Sequence, residues 1–416
     1  MYDVIVVGAR CAGSPLAMLL ARRGYRVLVV DRKAFPSDTI STHYIVQAGL
    51  ARMRDWGLLD KLVSTGVPAV RRQNFSSALR GFAEIDGITE TFAPRRTVLD
   101  ALLIDAARAA GAEVIERFAV SDLIRQDGRV AGVRGKFVDG AEQEFRASFV
   151  VGADGRNSTV GNLVDAEYHR VVSASGFFAY NYYDGLDWEF QHRTGNDQQW
   201  FGAWPTNDNQ HLVTVMRRID RFTEFRADVE GNFHQVIDQI LPAYGEQLRD
   251  AGRRAERFRV MRYPDNYYRR SAGPGWALVG DAGYHKDPFT GWGISDALVY
   301  AELLADKLHA GLSGEQPIDE AVREYERHRD ERTASTFDFT CTISELNVPR
   351  LYRAAYRAAG GSELGLTQFF NLVGGGLDAD RFFARDNLQA LYHAAGTPAG
   401  ERLFPADDTM AYSRCL

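Results

Sequence analysis

The chain has little cysteine, no long apolar run and no excess of positive charge. Its 416 residues include only Cys11, Cys341 and Cys415. An odd number of cysteines without metal-like spacing suggests neither a disulfide framework nor a zinc site. The ending Ser413-Arg-Cys415-Leu416 places the last cysteine next to the end, which is wrong for prenylation. No apolar stretch approaches the roughly 20 residues needed to span a bilayer, so no membrane span is expected. The first apolar run starts at Tyr2, which leaves no room for a signal peptide, and a cytoplasmic location is expected. A net charge of -6 offers no basic footprint for nucleic acid. Internal repeats and low-complexity linkers are also missing, and the length suits two or three packed substructures around a large core.

What is there begins at once. Tyr2-Asp-Val-Ile-Val-Val7 suits a buried parallel strand, the chain turns at Gly8, and a helical pattern runs from Leu16 to Arg23 until Gly24 stops it. Tyr25 to Val30 reads as a second buried strand with Asp31 at its carboxyl end, close to the spacing of about 20 residues expected of a ribose-binding acid. A diphosphate would sit on the helix amino terminus, where free N–H groups and the dipole favour an anion. Arg10 occupies the position of the middle glycine in Gly-x-Gly-x-x-Gly, so its side chain must point outward or offset phosphate charge. Arg32 and Lys33 could lean on the adenosine, and the polar loop Phe35 to Tyr44 should pass close to the cofactor.

Three further stretches carry chemistry. Phe149-Val-Val-Gly152-Ala-Asp154-Gly155 is a buried strand ending in an acid and two glycines. Trp276 to Gly280 is another, delivering Asp281 to a loop with Pro288, Gly291 and Gly293, from which a helix runs to about Leu308. Ligands of open α/β sheets bind beyond such strand ends. Between these, residues 177 to 216 are strand-like and aromatic, with Phe177 to Tyr183, Trp188 to Phe190, Trp200 to Trp204 and His211 to Met216 suggesting one open sheet. Such aromatics are either plain core or the wall of an apolar substrate pocket. A helix around Phe225 to Leu248 would cover the other face, residues 70 to 93 read as antiparallel strands, and the remainder from 319 is mostly helical. The triplet Gly374-Gly-Gly376 reads as a loop, because no strand and ribose acid frame it.

The triplet of motifs, Gly8 to Gly13 with Asp31, then Gly152 to Gly155, then Gly280-Asp281 with Pro288, Gly291 and Gly293, resembles the single-component FAD-dependent monooxygenases of the aromatic hydroxylase type. Geranylgeranyl reductases and flavin-dependent halogenases share it. The resemblance implies an α/β fold: a Rossmann-like FAD-binding domain from residues 1–72, 94–165 and 264–318, an inserted antiparallel β-sheet substrate domain from 73–93 and 166–263, and a helical region over 319–416. It implies FAD held by Gly8, Cys11, Ala12, Gly13, Asp31, Arg32, Gln47, Arg96, Val120, Asp154, Gly280, Asp281, Pro288, Gly291, Gly293 and Ile294. Arg96 matches the family's arginine ahead of the third helix, and Val120 the position facing adenine.

By the same resemblance, NAD(P)H would reduce the flavin and molecular oxygen would add to give a flavin hydroperoxide that hydroxylates an aromatic or polycyclic small molecule. The cofactor carries that chemistry, and the protein positions it and excludes water. Tyr180, Trp200 and Pro288 are the expected substrate-pocket residues. His43 and His285 could handle a phenol proton as catalytic residues, or be hydrogen-bonded loop histidines. The alternatives are a geranylgeranyl-type reductase acting on a polyene without oxygen incorporation, and a non-redox nucleotide binder. Halogenation ranks lower, since Trp200-Phe-Gly-Ala-Trp204-Pro205 lacks the spacing of the halogenases' Trp-x-Trp-x-Ile-Pro. A monomer or homodimer is expected.

Overall fold

The computed structural model describes residues 1–396; the remainder, including Cys415, lies outside the described residues. A parallel sheet forms the base. Its central strand Tyr2–Val7 pairs on one side with Val27–Asp31, then Glu113–Glu116, and on the other with Glu142–Gly152, then Trp276–Leu278, all parallel. Val4, Ile5 and Val6 are fully buried, as both faces of such a sheet require. Helices Gly13–Arg22, Arg96–Ala109 and Gly293–Leu312 pack over one face and share a core with Leu16, Leu103 and Leu298.

The strand Glu142–Gly152 serves two neighbours. Residues 142–146 pair antiparallel with Arg129–Phe137, whereas residues 147–152 enter the parallel sheet. Phe118–Gln126 and Arg129–Phe137 form a hairpin that turns at Asp127-Gly128, both of which take positive φ.

A second sheet joins Gly176–Asp184, Gln210–Arg218, Gln199–Thr206 and Phe190–Thr194, antiparallel throughout. Alternation along its strands splits it into two faces. Phe177, Ala179, Phe201, Val213 and Val215 meet a helical layer containing Phe225, Phe233 and Ile237. Phe178, Tyr182, Trp200, Trp204 and Met216 face the other way, toward Tyr44, Phe289 and Trp292 and the C-terminal helices. Gln73–Asn74 pairs antiparallel with Arg80–Gly81, as expected for residues 70 to 93, and extends this sheet by pairing parallel with Phe190–Gln191.

Other elements differ from expectation for identifiable reasons. The helix expected from Phe225 to Leu248 is three: Phe222–Ala227, Val229–Ile240 and Pro242–Asp250. Asp228 caps the second by accepting from the Gly231 N–H, and Pro242, with no N–H to give, starts the third. Trp188 precedes its strand instead of opening it. The helix Arg350–Ala359 starts only after Pro349, because Val348 stands before that proline and is disfavoured in helical conformation. Gly374 ends the helix Glu363–Gly374, and Gly375 (φ 83°) supplies its left-handed cap. Among the described residues no helix is long and apolar enough to cross a membrane.

Candidate functional site

A crevice of about 490 Å³ opens at the carboxyl edge of the parallel sheet. Its floor shows why glycine is required. Gly8 has φ 104°, and a Cβ there would stand 2.4 Å from the Ala153 carbonyl oxygen; a Cβ on Gly13 would stand 1.9 Å from the Gly8 carbonyl oxygen. The turn and helix are therefore pressed onto the sheet, as a fingerprint of this kind demands. Among the described residues no hydrogen bond engages the backbone N–H of Arg10, Cys11 or Ala12. Free donors at a helix amino terminus are what a diphosphate needs. At the opposite wall Gly293 begins the helix Gly293–Leu312, and a Cβ there would meet nothing within 4 Å, so the backbone lies open to the crevice.

Asp31 is almost buried. One carboxylate oxygen accepts from the Ala9 N–H at 2.8 Å and the other from the Lys33 N–H at 2.8 Å. The acid thus fixes the glycine turn from below, and its remaining lone pairs face the crevice. Arg10 does not block the floor. Its guanidinium is drawn to Asp100 and to the Ser37 hydroxyl at 2.9 Å, and it stacks 5.4 Å from the Phe35 ring. The fully buried Asp100 also accepts from Arg96 Nη2 at 2.9 Å, one helical turn away. Two arginines against one carboxylate leave a surplus positive charge beside the helix amino terminus. Across the whole crevice Arg10, Arg32, Lys33, Arg96, Arg156 and Lys286 stand against Asp31, Asp38, Asp154 and Asp281, six cations against four acids. Asp100 behind Arg10 and Arg96, and Asp296 beside Lys286, offset part of that excess.

Most residues expected at the cofactor converge here. Gly8, Cys11, Ala12, Asp31, Arg32, Arg96, Val120, Asp154, Gly280, Asp281, Pro288, Gly291, Gly293 and Ile294 all line the crevice. Gly13 lies beneath it, packed on Gly8. Gln47 lies off the wall, fully buried, with its amide donating to the Ala83 carbonyl at 3.3 Å. Asp154 lines the crevice, but its oxygens are committed to the Ser158 hydroxyl at 2.5 Å and the Val160 N–H at 3.1 Å. Burial outweighs those bonds and raises its pKa. Burial likewise pushes the Cys11 thiol up to about 12, so it stays protonated. Enclosure would raise the Asp281 carboxyl, yet His285, Arg156 and Arg96 hold it below the usual range.

The two histidines part company. His285 lines the crevice, with Nδ1 3.5 Å from Asp281 Oδ2 and its ring parallel to Tyr263. His43 is fully buried at φ 62°, off the crevice wall, with Nε2 against the Tyr182 hydroxyl. Burial, then Arg96, Arg95 and Arg259, hold its pKa well below 6.5, so it is a neutral imidazole.

A second cavity, about 910 Å³, lies between the aromatic face of the antiparallel sheet and the C-terminal helices. It meets the crevice at Thr42, Pro288 and Gly291, which line both. Trp200 and Pro288 are on its wall, with Tyr44, Phe75, Phe190, Trp204, Phe289 and Trp292. Tyr180 is not: it packs edge-on against Tyr182, 5.8 Å between centroids, and lies off the wall. Sequence reasoning missed Phe339, Tyr356 and Phe369, which close the cavity from helices beyond residue 318, although their aromatic spacing on amphipathic helices was a usable signal. It also missed His192, whose ring lies 4.9 Å from Trp200 and 5.0 Å from Phe289, and which burial depresses to about 4.

A glycine-turned parallel sheet, a cationic crevice at its carboxyl edge and an inserted aromatic sheet define a flavoprotein of the dinucleotide-binding class. Residues 1–340 match the FAD binding domain family, and the chain belongs to it, within the superfamily of FAD-dependent aromatic hydroxylases and geranylgeranyl reductases. Similar proteins span three chemistries. The rifampicin monooxygenase of Streptomyces venezuelae is 28% identical over 76% of this chain, which spans 66% of that enzyme. The 1H-pyrrole-2-carbonyl-[peptidyl-carrier protein] brominase of Pseudoalteromonas luteoviolacea is 24% identical over 75% of this chain and 78% of its own. Digeranylgeranylglycerophospholipid reductase 1 of Methanococcoides burtonii is 26% identical over 78% and 79%. Among solved structures, the myxobacterial chondrochloren halogenase CndH superposes with a TM-score of 0.75 at 24% identity, over 97% of this chain and 99% of its own, which speaks for the fold alone. The chain is an FAD-dependent flavoenzyme.

Proposed function

We propose that this flavoenzyme is an NAD(P)H-dependent monooxygenase that hydroxylates an aromatic or polycyclic small molecule. The observation that carries the reading is the junction of the crevice with an aromatic cavity at Thr42, Pro288 and Gly291. FAD held in the crevice would supply the redox chemistry, with NAD(P)H as reductant and molecular oxygen as oxidant, one oxygen atom ending in the product and the other in water. The residues of the chain would do the rest. Gly8 to Gly13 and Gly293 would seat the diphosphate by backbone N–H groups, and Asp31 would take the ribose hydroxyls. Trp200, Trp204, Phe289 and Trp292 would clamp a planar ring and keep water out of the junction. His192, held neutral by burial, would offer a ring nitrogen to hydrogen-bond a substrate hydroxyl inside the cavity.

The test is flavin reduction and oxygen uptake against a panel of aromatic and polyene compounds, with labelled molecular oxygen. Substrate-stimulated NAD(P)H oxidation with label in the product is the expected result. Unlabelled product bearing a reduced double bond would instead assign the reductase, and product formed only with added bromide or chloride the halogenase.

A further inference from the structure

The second cavity is apolar at depth and charged at its mouth. Trp200, Phe289 and Tyr44 are 1%, 6% and 4% exposed, whereas Arg353 and Arg357, which line the same cavity, are exposed. Both arginines stand on the helix Arg350–Ala359, four residues apart and therefore on one face. Tyr356, beside them, also lines the cavity.

The charge at this mouth is unbalanced. Among the described residues the one acid on the cavity wall is Asp197, and it is already engaged by Arg217 Nη2 at 3.2 Å. No hydrogen bond or ion pair of the described residues engages the guanidinium of either Arg353 or Arg357. His192, the remaining basic residue on the wall, is held neutral by its burial. By contrast, Arg10 and Arg96 at the crevice share Asp100, and Arg95 and Arg259 share Glu256. Two guanidiniums at one cavity mouth are thus a cationic pair without a counter-ion among the described residues.

The geometry points to a carboxylate-bearing aromatic as the ligand class: the ring seated among the tryptophans toward Pro288, the carboxylate held at the mouth by Arg353 and Arg357. Guanidinium forks suit a planar carboxylate, because each can donate two parallel N–H bonds. The assignment deepens the proposed function and rests on its reading that the cavity holds an aromatic ligand. A phosphate would share the same chemistry, so the test separates the two anions.

The experiment uses the FAD-loaded full-length chain and isothermal titration with 2-naphthoate, its neutral counterpart 2-naphthamide, and 2-naphthyl phosphate. The acid should bind at least about tenfold more tightly than the amide, a difference that added salt narrows. Arg353→Gln with Arg357→Gln should erase that preference while amide affinity and the flavin spectrum stay as in the parent. Arg353→Lys with Arg357→Lys should restore part of it. Equal binding of acid and amide, a preference that survives the double glutamine variant, or no binding of any probe would each overturn the assignment. Phosphate binding more than about tenfold tighter than naphthoate would overturn the carboxylate in favour of a phosphate. Arginine-dependent acid binding without oxygen incorporation would defeat the monooxygenase reading and leave the anion site standing.

Discussion

The crevice and the aromatic cavity meet at one loop, yet they are built in opposite ways. The crevice is made of backbone: turns that admit only glycine, N–H groups left free at helix starts, and carboxylates such as Asp31 and Asp154 spent on holding those turns. The cavity is made of side chains, with rings contributed by residues from Tyr44 to Phe369. The first kind of site constrains sequence tightly and recognises what all its substrates share. The second leaves sequence free and decides which molecule is chosen. The similar proteins carry monooxygenase, reductase and brominase names, a spread of chemistries that a side-chain cavity can accommodate more readily than a backbone crevice.

The sharpest way to break the contrast is at Gly13. Because its Cβ would overlap the Gly8 carbonyl, Gly13→Val should abolish FAD retention, seen as a colourless protein that does not reconstitute. Asp287 comes next, where the two sites join. Its carboxyl is buried, with Oδ2 unpartnered, and burial raises its pKa to about 7. An unfolded aspartate titrates near about 3.9, so between those values the folded chain holds a proton that the unfolded chain has released. Stability should therefore fall as pH rises through that window, by up to about 1.4 kcal/mol per unit, and level off above it. Asp287→Asn should flatten the slope, measured by denaturant unfolding at pH 5 and pH 8. A smaller effect is expected at Trp200: Trp200→Phe should leave FAD affinity within about twofold but send several times more of the NAD(P)H electrons to hydrogen peroxide, because the ring clamp loosens. The smallest is at Arg10. With the guanidinium held by Asp100 and Ser37, Arg10→Gly should keep FAD affinity within about tenfold, or 1.4 kcal/mol. A much tighter complex would mean that the arginine obstructs the floor.

The same contrast explains what the sequence made legible. Gly8, Gly13, Asp31, Gly280 and Gly293 could be placed from the chain alone, because strand, turn and helix follow one another within about thirty residues and the turn admits few residue types. Asp100 was within reach too, since it stands one turn after Arg96 on the same helix. Gln47 and His43 were harder. Both sit in a loop and helix start close to the crevice in sequence, but tertiary packing turns the Gln47 amide to Ala83 and the His43 ring to Tyr182. Tyr180 and Trp200 occupy the same face of one sheet, and only the position of neighbouring strands decides which of them reaches the cavity. No local pattern reports that the helix carrying Arg353 and Arg357 folds back over residues 190 to 204.

The shared strand Glu142–Gly152 has a bearing on how the protein is made. The central strand lies at residues 2–7, but its partner on one side ends at residue 152 and the outermost parallel strand at residue 278. Pairings of such sequence separation close slowly, because a long loop must be ordered before the contact rewards it. Meanwhile the antiparallel sheet over residues 176–218 is local and can form as soon as it is synthesised. The wall of the nucleotide crevice needs Gly293 and Ile294, so the crevice is complete only in a chain that already carries the residues of its aromatic sheet.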